Sequence, residues 1–303
     1  MRVGIFYNSI TNPTKFRNKV ILMDNFKAGV LSQGDTVVEY RDTELPDQPL
    51  DLGFVLGYTL ENNFRKKIIT RLQQLNTPRV FVDSNILNYA RQEHEWHRYS
   101  LNSVYPNDGV YLFEKHDPNK WKRYSQWHGV ELKPWRTQGL HVLVLAQRPK
   151  GWNMFDTNQN DWLESTINSV LQLTNKPIVV RMHPGDSTRD KQAAKLVRRY
   201  GKKIKISTNA NIRNDLTNCW CTVGYNSTPN VVAAIEGIPV YIADPTHSWA
   251  KDIAFTDLSQ INNPPMPSRD AWVHTIANIH WSKEEVQSGK LWTVIKHYIS
   301  SAH

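Results

Sequence analysis

Arg181 and His183, in the stretch IVVRMHPGD (178–186), end a run of β-branched residues with two groups able to hold an anion. An arginine offers paired donors to phosphate oxygens, and a histidine beside an anion has its charged form favoured. The same chemistry recurs twice. Gln147 and Arg148 follow HVLVLA (141–146), and Asn226, Ser227 and Thr228 precede PNVVAAIEG (229–237). With Pro229 suited to a first helical position, this Asn-Ser-Thr turn sets hydroxyls and N–H groups at a helix N-terminus, where an anion is favoured, although an ordinary cap would use the same residues. Three strand ends of one half thus carry groups suited to a diphosphate. The chain has no GxxxxGK[ST] or GxGxxG loop, which argues against a nucleoside triphosphatase or a nicotinamide enzyme. It also has no Asp-x-Asp pair, so no metal is expected on the diphosphate.

Two series of elements must position these groups. Short apolar runs alternate with longer amphipathic segments, the pattern of βα units and a parallel sheet. The first series predicts strands at VGIFY (3–7), TVVEY (36–40), LGFVLGY (52–58), RVFVD (79–83) and VYLFE (110–114), helices at 15–32 and 61–75, and a loop or helix over 84–106. A Trp-, Lys- and Pro-rich stretch at 117–139 reads as a linker. The second series predicts strands at HVLVLA, PIVVRM, KIKIS, CWCTVG and PVYIAD, with helices at 160–173, 188–200, near 212 and at 228–236. Two helical segments, 269–281 and 283–300, close the chain. The expected domains are 1–137 and 138–280, with a terminal helix over 281–303 returning to the first.

The totals agree with a globular protein: 303 residues, 40% hydrophobic, 11 tryptophans. No run of 18 apolar residues and no signal-peptide core occurs, so neither membrane insertion nor secretion is expected. Cys219 and Cys221 alternate within CWCTV and read as two buried thiols of a reducing compartment. The formal charge of +9 suits polyanionic partners or simply a solvated basic surface. Its densest groups are FRKK (64–67), KWKRYSQWHGVELKPWR (120–136) and the tract 189–205, which holds eight basic residues.

The order RMHPGD, an Asn-Ser-Thr turn opening a small-residue helix, then EGIPVY (236–241) is similar to the nucleotide-sugar half of GT-B glycosyltransferases, especially capsule and sialic-acid type transferases with an HP and a serine motif. The resemblance implies an α/β fold of two Rossmann-like, doubly wound domains facing a cleft, with C-terminal helices crossing back. It implies donor-phosphate contacts from His183 and from Ser227 with Thr228, beside Gln147, Arg148, Arg181 and Asn226. The glutamate that often precedes the glycine by five positions and holds the donor ribose is Val232 here, so Glu236 or Asp244 is expected to replace it. No permanent cofactor is implied. The donor, a nucleotide-sugar such as a UDP-sugar, is a substrate.

A narrower resemblance joins LKPWRTQGLHVLVLAQRPKGW (132–152) to WAKDIAFTDLSQINNPP (249–265) and RDAWVHTIANIHWSKEEVQSGKLW (269–292). These resemble glycosyltransferases of tailed bacteriophages that hypermodify their DNA. The implied acceptor is 5-hydroxymethylcytosine, or a related hydroxymethyl pyrimidine, in double-stranded DNA within the cytoplasm of the infected cell. Arg65, Lys66, Lys67, Lys120, Lys122 and Arg123 would then neutralise phosphates. Trp127, with Trp121, Tyr124 and Trp135, would stack on a base turned out of the duplex, unless these aromatics pack internally. An inverting transfer needs a base, for which Asp83, then Glu95 and Asp108, are the candidates, with His94 nearby and Asn85 and Arg98 as acceptor contacts. The rival readings are a transferase for surface polysaccharide or lipid-linked sugar, and a non-catalytic DNA-binding protein on the same scaffold.

Overall fold

A computed structural model describes residues 1–10, 17–58, 63–87, 95–111, 117–148, 154, 155 and 157–301. The chain divides into two units, one of Met1–Asn88, Gln92–Trp121 and His274–His303, the other of Tyr89–Arg91 and Lys122–Val273. These bounds differ from the expected 137 and 281. The stretch read as a linker contains a helix that starts in the first unit and continues in the second.

In the first unit, β1 (Arg2–Phe6), α1 (Arg17–Ser32), β2 (Thr36–Tyr40), β3 (Leu52–Leu56), α2 (Phe64–Gln74) and β4 (Arg79–Asp83) follow the alternation of the sequence. β1 pairs in parallel with β2 and β3, and β3 with β4. Two strands depart from the expectation. β5 (Trp96–Leu101) lies within the stretch read as loop or helix and runs antiparallel to β4. The strand expected at 110–114 falls mostly outside the described residues; Val110 itself makes only an isolated antiparallel bridge to Leu101.

In the second unit, α3 (Lys120–His128) leads into β6 (His141–Leu145), α4 (Gln159–Leu173), β7 (Ile178–Arg181), α5 (Arg189–Tyr200), β8 (Ile204–Ile206), α6 (Ile212–Leu216), β9 (Cys219–Gly224), α7 (Thr228–Ile235) and β10 (Val240–Ile242). The sheet is parallel, in the order β10-β9-β6-β7-β8. The chain therefore steps outward from β6 through β7 to β8, then returns to lay β9 on the other side of β6. In such a sheet the ligand crevice opens beyond the carboxyl ends of the strands where this reversal occurs, here between β6 and β9. Cys219 and Cys221 are buried in β9 as free thiols, and burial pushes both up, Cys219 to about 12.

The tail starts with α8 (Asp270–Asn278) and then joins the first unit. β11 (His280–Ser282) pairs antiparallel with β5, completing the sheet order β11-β5-β4-β3-β1-β2. The single helix expected over 283–300 is two, α9 (Lys283–Gln287) and α10 (Lys290–Ser301). Gly289 separates them at φ +82, a conformation that side-chain-bearing residues rarely adopt. A capping box of Ser282 and Glu285 starts α9. At Gly29 the backbone of α1 comes so close to α9 that a Cβ would lie 2.1 Å from the Val286 carbonyl oxygen. Trp292 and Lys296 of α10 both donate to Asp35, as does the N-terminal ammonium of Met1.

Candidate functional site

Of the expected donor residues, Gln147, Asn226 and Asp244 meet at the ends of β6, β9 and β10. Gln147, just past β6 and buried, donates from its amide to Asn226 Oδ1 at 2.6 Å. Asn226, just past β9, in turn donates to Asp244 Oδ2 at 3.0 Å, beyond β10. His247 Nδ1 meets the same carboxylate oxygen at 2.8 Å, and its ring lies 4.1 Å from that of Phe155. One chain of polar contacts thus ties three adjacent strand ends together. Asn226 and Asp244 spend their side chains on it, which makes them the frame of the crevice.

Arg148 and Ser227 follow directly on this frame in sequence. Arg148 is exposed. His183, from the end of β7, stands close to it: a Cβ placed on Gly185 would lie 3.2 Å from His183 Cε1 and 3.9 Å from Arg148 Nη2. The Gly185 N–H donates to His183 Nδ1 at 3.0 Å, so a neutral ring carries its proton on Nε2 and presents an N–H donor there. Burial first, and then the Arg148 charge, hold this imidazole below its ordinary pKa of 6.5 against the opposing pull of Asp186. These surroundings favour a neutral ring, whereas the sequence reading had a charged one near its anion.

Ser227 is the N-cap of α7, yet its side chain makes no capping bond to the helix. The hydroxyl is left for another partner at a helix N-terminus, with the half-buried Thr228 beside it. On the neighbouring loops, Thr157 Oγ1 meets Tyr225 Oη at 2.9 Å, and the Tyr225 ring packs edge-on to Trp162. Gln159 at the start of α4 is buried with neither amide atom hydrogen-bonded.

Two expected donor contacts are placed elsewhere. Both terminal nitrogens of the Arg181 guanidinium bond the protein: Nη1 bonds the buried Asp215 carboxylate and the Asn209 carbonyl (2.8 Å), and Nη2 bonds the Ala210 carbonyl (2.9 Å). It braces the loop after β8. Glu236 caps the C-terminal end of α7, paired with Lys133 and with Arg213. A helix of eight residues sets it roughly 12 Å from the N-terminal turn.

In the first unit, Asp83 and Arg98 are cross-strand partners on β4 and β5, joined at 2.5 Å, and Arg98 also donates to the Ser84 carbonyl at 2.8 Å. The other Asp83 oxygen accepts the Ser84 N–H. Arg98, expected as an acceptor contact, is only 7% exposed and serves as a buried strut. Glu95 is half-buried just before β5, Asp108 is exposed in a turn, and Asn85 is buried, its Oδ1 accepting from Leu87 N–H. His94 lies outside the described residues.

The expected nucleic-acid contacts divide in the same way. Lys120 is buried, 3.3 Å from Glu285 and over the Trp281 ring, so it too is internal. Arg65 clasps the Ser9 carbonyl with two nitrogens. Tyr124 is fully buried, and Trp135 donates to the Pro267 carbonyl while Arg269 covers its ring. Lys66, Lys67, Lys122 and Arg123 are exposed, and Trp127 is half-buried.

The sequence reading missed His247 and Phe155. An Asp-x-x-His spacing just after a predicted strand end, DPTH (244–247), was the available signal for His247. Phe155 had none, because its meeting with His247 is tertiary.

Two α/β units of this kind define the fold of the GT-B glycosyltransferases. Among solved structures the chain is similar to KpsC, beta Kdo 2,7 transferase, of Thermosulfurimonas dismutans, at 13% identity and a TM-score of 0.57 over 97% of this chain and 99% of that one. It is also similar to KpsC, beta Kdo 2,4 transferase, of the same organism, at 12% identity and a TM-score of 0.55 over 99% and 98%. At such identities the likeness is one of fold. No protein-family model matches the sequence, and no curated protein matches it. Among the described residues no helix is long and apolar enough to cross a membrane.

Proposed function

We propose that the chain is a glycosyltransferase whose second unit holds a nucleotide-sugar, a UDP-sugar, by its diphosphate in the β6–β9 crevice. One observation supports this reading: Arg148 and His183 lie near each other past β6 and β7, and Ser227, whose side chain makes no capping bond, opens α7 past the adjoining β9. Donors already in place stabilise charge as it develops on a leaving group without reorganising. In the transfer, the acceptor oxygen forms a bond to the anomeric carbon, the diphosphate departs with the electron pair, and the hydroxyl proton passes to a carboxylate. Asp83, Glu95 and Asp108 are the proposed bases, and Asp83 must first give up part of its bond to Arg98.

The proposed acceptor is a hydroxymethylated pyrimidine of duplex DNA, which sets the reaction in the cytoplasm of an infected cell. The resemblance of 132–152 and 249–292 supports it, as do the exposed cations Lys66, Lys67, Lys122 and Arg123. A saccharide acceptor is the second reading, favoured by the likeness of fold to two Kdo transferases. Incubation with radiolabelled UDP-sugars and hydroxymethylated DNA, plain DNA or a saccharide separates them. Label on hydroxymethylated DNA alone is the expected result. Label on the saccharide alone transfers the assignment to the second reading, and DNA binding without any label leaves a non-catalytic binder.

A further inference from the structure

The basic tract at 189–205 is absorbed by none of the chemistry above. Lys191, Lys195 and Arg198 are spaced i, i+4 and i+7 along α5, so they share one face of the helix. All three are exposed, while Leu196 and Tyr200 turn inward to the core. Beyond the helix the exposed Lys202, Lys203 and Lys205 continue the positive surface to β8, the edge strand of the sheet. Glu164 of α4 neutralises part of it by pairing with Lys195 and Arg199. Among the described residues, no carboxylate pairs with Lys191, Arg198, Lys202, Lys203 or Lys205.

A lysine on an edge strand also guards against strand-to-strand aggregation, which accounts for Lys205 but not for α5. The helix face is not flat. Between α4 and α5 lies a groove of about 500 Å³ whose walls include Lys191, Lys195, Arg198, Gln192, Asn160 and Thr188. Three cations and three neutral polar side chains, with the single carboxylate of Glu164, therefore line a concave surface.

We infer that this groove and the cationic face of α5 bind the phosphodiester backbone of duplex DNA. The inference takes its partner from the proposed DNA acceptor and adds a docking surface on the second unit. From Lys191 to Arg198 the helix rises about 10 Å, a length over which one DNA strand carries about three phosphates. Three flexible cationic side chains over that length can each reach a phosphate of the strand. An anionic membrane is the poorer fit, because a membrane-surface helix needs an apolar face to insert, and that of α5 is buried in the core. Val197, 48% exposed, is the one large apolar side chain that α5 leaves at the surface.

The test is binding of a short unmodified duplex, without sugar donor, followed by fluorescence anisotropy across a salt series. Lys191→Gln, Arg198→Gln and Lys202→Gln combined should weaken binding about tenfold or more and lower the log–log salt slope by about 2 to 3, as loss of three phosphate contacts requires. Its UDP affinity and melting temperature should match those of the unaltered protein, since all three side chains are exposed. Arg198→Glu alone should act in the same direction. Unchanged affinity and slope in both variants overturn the inference, as does binding of the unaltered protein to anionic lipid vesicles but not to the duplex. If the acceptor reading alone is wrong, no label reaches DNA while the variants still lose duplex binding; if this surface alone is wrong, label transfer proceeds and the variants bind as before.

Discussion

Arg148 and His183 leave neighbouring strands, β6 and β7, and come together over Gly185, where the guanidinium adds to burial in lowering the proton affinity of the imidazole. That relationship is what the proposed diphosphate site requires of the pair. With no anion present the two groups disfavour a second positive charge, and an arriving phosphate relieves the conflict.

The His183 ring should therefore titrate below 6.5 in the free protein and move upward when UDP is added, because a neighbouring anion favours the charged form. NMR titration of the ring protons reads both values. A midpoint at or above 6.5 without ligand would remove the Arg148 contact from the account.

Substitution separates donation from charge. His183→Gln keeps an N–H donor near the position of Nε2, whereas His183→Ala removes it. Loss of one transition-state donor costs about 100- to 1,000-fold in turnover, so the alanine variant should fall by that order and the glutamine variant by less. Equal losses in the two variants would show that the positive charge, and not the hydrogen bond, is what His183 supplies.

Arg181 serves here as a brace. Its loss leaves the buried Asp215 carboxylate without its counter-charge, held by hydrogen bonds from Ser207 and Asn209, and removing one partner of a buried pair costs about 3–5 kcal/mol. Arg181→Ala should therefore lower the urea midpoint sharply, yet at a temperature where it stays folded it should bind UDP within about threefold of the unaltered protein, less than 1 kcal/mol. A stable variant that fails to bind UDP would return Arg181 to the donor site.

Asp35 ties the tail to the start of the chain. Burial works to raise its carboxyl, but the hydrogen bonds from Lys296, the N-terminal ammonium and Trp292 outweigh it and hold the group at about 2, below its ordinary 3.8. The unfolded chain then binds the proton more readily, so the stability contributed by Asp35 is present above pH about 4 and is lost as pH falls through 2. Asp35→Asn should be less stable at neutral pH, with a shallower decline between pH 4 and 2 in urea unfolding curves. Parallel pH profiles for the two proteins would contradict this.

The sequence showed the second unit more fully than the first, for reasons visible in particular elements. There β6 and β7 are short apolar runs followed by the amphipathic helices α4 and α5, and local periodicity suffices to find both. β5 escaped because WHRYSL carries His, Arg and Ser into a strand buried along its whole length, where Arg98 is tolerated only through its ion pair with Asp83. β11 is three residues long and gains its identity from pairing with β5, which lies far away in sequence. The break at Gly289 could be suspected from the glycine, but the close packing of α9 on Gly29 that requires it could not. At the site, His183 and the 226–228 turn were legible as motifs with a known local geometry. The commitment of Arg181 to Asp215 was not, since 34 residues separate them and either could have faced a ligand.

The central claim is that Arg148, His183 and Ser227 act on one diphosphate, and calorimetric titration of UDP into Arg148→Ala, His183→Ala and Ser227→Ala tests it most directly. Each truncation removes a donor to a charged group, worth about 1.5–3 kcal/mol, so each should weaken UDP binding by about 10- to 100-fold. UDP affinity equal to that of the unaltered protein in all three variants would contradict the account.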